Sequence, residues 1–420
     1  MAEISPFKAW RYNEALMQNI GDLTSPLFDV ASVRQKAALY GNLYNSIHLS
    51  IPNGERPAEN ASKALQKWRH EGCIQQDPAP GFYIYYQHFR LPGDHRKYCR
   101  KGFICKIRIY DWDQNVILPH ENTMPRSVEE QIELLAATRL NVSPTHGLYT
   151  DPSFELEAYM DQSMQQPICE TEDYQGTRDV LSVIQENRII KRFVDLMAEK
   201  QVILADGHHR YAGSLAYMKR QRRDNPAHTG KERYNYHLMW LTNTEAEGLR
   251  ILPTHRLVKG LTNFDENVVV EKFHSHFTVK PVTNPDHMEE IIAGKKWTFG
   301  LIFQKNAYQV SLKPDVHQSL QWNFPAEIKN LDLTVLHYFI IQEILEIKGQ
   351  DQSNSDCIEF ERSFAACLTR VMQGDCQIAM ITNELSITDV KTVCGSGYTL
   401  PQKSTYFWPK VICGFVFSSL

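Results

Sequence analysis

The sequence predicts a mixed α/β fold. Three observations carry that expectation. Short β-branched and aromatic runs, such as GFYIYYQHFRL (81–91) and QVILA (201–205), read as strands. Segments with apolar residues at helical spacing, such as RIIKRFVDLMAEK (188–200), alternate with them. The length of 420 residues, 42% of them hydrophobic, is enough for two or three domains with a large buried core.

The elements follow in chain order. VRQKAALYGNLYNSIHL (33–49) is expected to give a short helix and then an apolar strand. ASKALQKWRHEG (61–72) reads as a helix stopped by Gly72, because glycine enters the left-handed region at a helix end without steric cost. Residues 81–91 and KGFICKIRIYDWD (101–113) are two strands joined by a polar hairpin loop. SVEEQIELLAATRL (127–140) is an amphipathic helix with Ser127 as N-cap and Glu130 completing a capping box. HGLYTDP (146–152) is a strand and turn, and the acidic, Met/Gln-rich stretch 153–179 a linker or short helix. The helix at 188–200 leads into the strand 201–205 and a helix from about 209 to 223. YNYHLMWLTN (234–243) is a buried strand, and LRILPTHRLVKG (249–260) is extended. Beyond Gly260 come a helix and strand, a hairpin at 295–313, a long apolar helix at 331–349 closed by Gly349, and a strand at 375–383. The division this suggests is an N-terminal α+β region (1–150), a core (151–260) and a C-terminal α+β region (261–420).

Charge and composition narrow the function. A net charge of −4 gives no electrostatic footprint for nucleic acid, and KRQRR (219–223) reads as a solvated helix face. No run reaches the ~18 apolar residues a membrane helix needs, and the first residues lack the pattern of a secretory signal. Nine scattered cysteines without a C-x-x-C pair fit reduced thiols, so a cytoplasmic protein is expected, with homo-oligomerisation left open.

The most informative stretch is QVILADGHHRYAGSLAY (201–217). A strand, a sharp Asp-Gly turn and a helix start make an anion site, because the first backbone N–H groups of a helix lack partners and carry partial positive charge. Arg210 in the first turn opposes the helix dipole unless an anion lies between them. His208 and His209 can donate to phosphate oxygens, move protons or bind metal. The stretch is no Walker A loop, since G-x-x-x-x-G-K is absent. LPHENT (118–123) places His120 and Glu121 in a loop after a strand, where they suit a base or a metal ligand. His146 in SPTHG (143–147) balances between a buried structural histidine and a site residue. His255 and Arg256 in LPTHR (252–256), and Lys403, Ser404 and Thr405 in PQKSTYFWPK (401–410), are further polar clusters. No pair of Cys or His residues has zinc-finger spacing, so Mg²⁺ carried with a nucleotide is easier to support than zinc.

ADGHHRY (205–211), LPTHR (252–256), LPHENT (118–123), SPFKAWR (5–11) and PQKSTYFWPK (401–410) together resemble, almost end to end, a bacterial and archaeal family catalogued as domain of unknown function 1015. Where that family shows Pro-Pro-Tyr-Asp, this chain has SPLFD (25–29), keeping Pro26 and Asp29. The strand, Gly-x-His-Arg and helix are also similar to the signature of the ParB/sulfiredoxin superfamily, whose free-serine kinases carry a like Asp-Gly-His-His-Arg stretch. That resemblance implies a ParB/sulfiredoxin-like strand-turn-helix core with additional α+β regions. It also implies that Asp206, Gly207, His208, His209 and Arg210 hold nucleotide phosphates. A histidine stands where sulfiredoxin has its cysteine, which disfavours redox chemistry. The implied function is a nucleotide-dependent phosphotransferase acting on a small hydroxylated acceptor such as serine, with ATP or ADP, or CTP, and Mg²⁺ as cofactors. Asp206 or Glu121 would ligate Mg²⁺, Glu121, His120 or His209 would be the base, and Arg11, Arg256 and Lys403 would bind an acidic acceptor or the outer phosphate. A non-catalytic nucleotide sensor and a metal-dependent hydrolase using His120, Glu121, His208 and His209 are the alternatives. His120, Glu121, His208, His209 and Arg210 are expected in one cleft.

Overall fold

The structure is a computed structural model, and it describes residues 1–27, 32–91, 94–348, 352, 356–400 and 404–420. The fold is mixed α/β, and the chain divides into two compact units. The first comprises Met1–Pro119, Thr123–Arg250 and Phe407–Leu420; the second comprises His120–Asn122 and Ile251–Tyr406. Strands from 1–150 and from 151–260 share one sheet within the first unit.

In the first unit, a nine-stranded sheet runs in the order Ile117–Pro119, Val202–Asp206, Thr145–Tyr149, Tyr236–Asn243, Tyr98–Arg108, Phe82–Phe89, Arg178–Ile184 and Cys169–Glu172, with Ile4–Ser5 also pairing onto Tyr98–Arg108. Val202–Asp206 is an inner strand, parallel to Ile117–Pro119 and antiparallel to Thr145–Tyr149. The strand Phe82–Phe89 explains why an almost continuous apolar run forms sheet: it is buried on both faces. Phe82, Ile84 and Tyr86 pack with Phe103, Cys105, Phe193 and Leu241 on one side. Tyr83 and Tyr85 pack with Ile104, Leu181, Leu238 and Trp240 on the other. Strand alternation alone produces this division.

The second unit holds a six-stranded antiparallel sheet in the order Phe277–Pro281, Ala307–Leu312, Thr298–Ile302, Ile378–Ile381, His255–Val258, Ile358–Glu361. Leu257, Ala379 and Ile381 form a core with Met288, Ile292, Cys367 and Val371 from the helices Met288–Ile292 and Phe364–Met372. Among the described residues no helix is long and apolar enough to cross a membrane.

Several local expectations change. Residues 47–50 form a helical turn rather than a strand. The helix expected to start at Ser127 begins at Pro125 with Met124 as N-cap, because proline at the first position needs no N–H partner and presets φ. The stretch 153–179 contains the helix Glu157–Ser163 and the strand Cys169–Glu172. Helix Asp332–Val335 continues into Leu336–Ile344 with five-residue hydrogen bonding, and its expected stop, Gly349, lies outside the described residues. The stop at Gly72 agrees, with φ of +70° after the helix Pro57–His70.

Candidate functional site

The turn after Val202–Asp206 is built by one glycine. Gly207 has φ +91°, and a Cβ there would stand 2.6 Å from Thr145 Cγ2 and 2.8 Å from Arg210 Nη2. Only glycine satisfies both the left-handed backbone and the close approach. Gly207→Ala is expected to cost ~1–3 kcal/mol of stability from strain; an unchanged urea midpoint would contradict this.

The turn delivers the chain into the helix His208–Asp224. Asp206 sits at its threshold between two cations. Its Oδ2 accepts from Arg210 Nη2 at 2.8 Å, and its Oδ1 is ion-paired with Lys410 Nζ. Burial opposes ionisation of Asp206, but Lys410 and Arg210 outweigh it and hold the carboxyl below the ordinary range. Arg210 is mostly buried and held by first-unit partners. Its Nη1 donates to Ser143 Oγ at 3.0 Å and to Pro144 O at 2.7 Å, and its side chain is 17% exposed. His209 Nε2 accepts from the Met124 N–H at 3.0 Å, which fixes the imidazole as an acceptor on that nitrogen. His208 is buried at the helix start.

Behind the turn lies a buried polar layer. His146 stacks on Trp240 with centroids 4.7 Å apart, and its Nε2 pairs with Thr242 Oγ1 at 2.8 Å. Burial first, then the charge of Arg100, keeps it neutral. Arg100 is buried; its Nε and Nη1 donate to the carbonyls of Gly248 and Pro409, and its Nη2 has no hydrogen-bond partner among the described residues. Burial pulls Arg100 down to about 9, so it stays charged at neutral pH. Asp206 thus faces Arg210 and Lys410 directly and Arg100 through space.

His120, Glu121 and Arg256 belong to the second unit. His120 Nε2 lies 2.7 Å from Thr405 Oγ1, and Glu121 Oε1 accepts from the Thr405 N–H at 3.2 Å and its hydroxyl at 3.1 Å. One consistent proton assignment is a chain from His120 N–H through the Thr405 hydroxyl to Glu121. Arg256 is fully buried on the strand His255–Val258. Lys403 and Asp29 lie outside the described residues. Arg11, in the first unit, is spent on structure, gripping Asp77 through Nε and Nη2. Among the described residues, no three His, Cys, Asp or Glu side chains gather in a way that could hold a metal ion.

The structure therefore brings Asp206, Gly207 and Arg210 together with Lys410, and His120 and Glu121 together with Thr405. Lys410 and Arg100 are the residues the sequence reading missed. Lys410 ends the quoted PQKSTYFWPK motif, but the reading placed the chemistry on Lys403.

A family profile described as protein of unknown function (DUF1015) matches residues 4–334. The chain belongs to that family. No curated protein matches the DUF1015 chain described here. Solved structures similar to it include a conserved hypothetical protein from Pyrococcus furiosus, at 14% identity and TM-score 0.36, covering 74% of this chain and 92% of that one. A free serine kinase in complex with AMP shows 14% identity and TM-score 0.36, covering 73% and 86%. SbnI with a C-terminal truncation from Staphylococcus aureus shows 12% identity and TM-score 0.35, covering 74% and 86%. At TM-scores this low the likeness carries no argument about the activity of this chain.

Proposed function

We propose that this chain is a nucleotide-dependent phosphotransferase that holds nucleotide phosphate at the turn Asp206–Arg210. The observation that carries the reading is the pairing of two cations, Lys410 and Arg210, on one carboxylate at the start of a 17-residue helix. Two side-chain charges and a helix N-terminus outweigh Asp206, and a phosphate placed there is stabilised by all three. Phosphoryl transfer asks mainly for such positioning and charge neutralisation, with little covalent help from the protein. In this reading Asp206 aligns the cations and Gly207 keeps the backbone low enough for close approach.

The metal role expected of Asp206 fits poorly, because both its oxygens are already taken by cations. Any Mg²⁺ is therefore assigned to the nucleotide's own phosphates, where it supplies charge neutralisation, and no step is routed through a protein-held ion. Glu121, His120 and His209 are the proposed proton acceptors. His209 is the weakest of them, since its Nε2 already accepts from Met124. The acceptor class, a hydroxylated amino acid such as serine, follows from the similarity of Asp206–Arg210 to the corresponding stretch of free-serine kinases.

The test is phosphoryl transfer followed by phosphorus NMR. Wild-type protein is mixed with ATP, ADP or CTP, with and without Mg²⁺, and with hydroxylated amino acids and sugars. A phosphorylated acceptor is expected. Glu121→Gln should lose ~10²–10⁴-fold of the rate while keeping nucleotide affinity, the usual effect of removing a general base. An undiminished rate in Glu121→Gln moves the base to His120. Binding without turnover of any acceptor replaces the enzyme reading with a nucleotide sensor.

A further inference from the structure

Arg256 occupies an unusual position for a guanidinium. It lies on the strand His255–Val258, next to the edge of the six-stranded sheet, with no solvent exposure. Alternation places it on the sheet face opposite Leu257, which packs into the apolar core with Met288 and Ile292. Its Nη1 donates to the carbonyl of Thr254, and the Phe360 ring lies 5.4 Å from its central carbon. These contacts occupy one nitrogen and one face. Among the described residues, Nε and Nη2 have no hydrogen-bond partner. They form one edge of the planar guanidinium, the edge that grips carboxylates and phosphates with two parallel bonds. Arg11 of this same chain shows that use: its Nε and Nη2 bind the Asp77 carboxylate at 2.6–3.0 Å.

The surroundings add unused polar atoms. Thr254 Oγ1 and His337 Nε2 are buried and, among the described residues, unpartnered. His337 Nδ1 pairs with Gln352 Oε1 at 2.7 Å, so its Nε2 presents a lone pair. Burial, then the charge of Arg256, pushes His337 down to about 3 and keeps it neutral. Glu121 attracts Arg256 through space without a hydrogen bond to it, and its Oε1 is already taken by Thr405. Burial lowers Arg256 only to about 10, so it remains a cation. A buried guanidinium with an entire edge unpaired is costly unless an anion completes it.

We propose that the Nε/Nη2 edge of Arg256 is a binding site for a small anion, a carboxylate or phosphoryl group held by two parallel hydrogen bonds. The Thr254 hydroxyl and His337 Nε2 are the polar atoms available to a hydroxyl or amine on the same ligand. This site lies wholly within the second unit and does not depend on the phosphotransferase reading.

The test is calorimetric titration of full-length protein with inorganic phosphate and, separately, with succinate, at constant ionic strength in chloride. The two probes separate a phosphoryl ligand from a carboxylate. Wild type is expected to bind at least one of them, Arg256→Met to bind it at least tenfold more weakly, and Arg256→Lys to be impaired as well, since an ammonium cannot supply a planar fork. Each titration is repeated in the Lys410→Met background, which lowers any phosphate binding at the turn Asp206–Arg210, so that the component read is the one Arg256 carries. Arg256→Met should also melt no lower than wild type in chloride, because Thr254 O keeps the Thr382 hydroxyl as a donor and the unpaired charge is gone. Failure of both probes to bind wild type, equal binding by Arg256→Met, or an Arg256→Met protein that melts well below wild type or does not fold would each overturn the proposal. The last would make Arg256 a structural tie.

Discussion

Asp206→Asn lowers the unfolding free energy by ~3–5 kcal/mol, the cost of leaving buried charges without their partner. The substitution keeps size and shape and removes only the charge. Lys410 is 9% exposed and Arg210 17%, so water compensates poorly for the lost carboxylate at either cation. Because neighbouring cations hold the Asp206 carboxyl below its unfolded value, its contribution is present above about pH 4 and is lost as pH falls through the lower folded value. Lys410→Met in the Asp206→Asn background should restore part of the loss, since one of the two stranded charges is then gone. The phosphate-site reading adds a second expectation: ADP should stabilise Asp206→Asn more than it stabilises wild type, because the nucleotide supplies the missing negative charge. Urea unfolding with and without ADP measures both effects. A loss within experimental error would mean that Asp206 is solvated rather than paired.

Asp179→Asn should abolish a pH dependence. Asp179 is fully buried on the strand Arg178–Ile184. Its Oδ1 accepts from Tyr85 Oη and from Gln87 Nε2, and its Oδ2 has no partner among the described residues. Burial pushes its carboxyl up to about 7, against the pull of those hydrogen bonds. A carboxyl whose folded value is raised stabilises the fold fully below its unfolded value near 3.9, and that contribution is lost as pH rises through 7. The interval corresponds to at most ~4 kcal/mol between pH 4 and 8. Wild type should therefore lose stability over this window by more than Asp179→Asn does. Equal slopes for the two proteins would show that the carboxylate remains ionised throughout, held by the buried Arg100 beside it.

The parts of this molecule legible in the sequence are those specified by local pattern. The strand Val202–Asp206, the Gly207 turn and the helix that follows were readable because an apolar run, an Asp-Gly pair and small helix formers occur consecutively. Phe82–Phe89 and Tyr236–Asn243 were readable because aromatic and β-branched runs leave few alternatives. The strand Cys169–Glu172 was not: it is the sheet's outermost strand, alternately half-buried and exposed, and its Glu and Thr residues look like linker. Ile47–Ser50 reads equally as strand or helix, because four residues with two apolar ones cannot distinguish the two periods. The site was legible only in half. The residues of the turn announced themselves, while Lys410 pairs with Asp206 across 204 positions, a relation no local spacing encodes. Arg256 stood out as a charge after an apolar run, but only the structure shows that an entire edge of its guanidinium is unpaired.

The central claim is that Lys410 and Arg210, aligned by Asp206, hold nucleotide phosphate. Calorimetric titration of ADP into wild type and into Lys410→Met tests it most directly, because Arg210 remains to neutralise Asp206 in the variant and the fold is retained. The account predicts that Lys410→Met binds ADP ~10–100-fold more weakly, the loss of one charge-assisted hydrogen bond. Equal affinity in a folded Lys410→Met protein would contradict it.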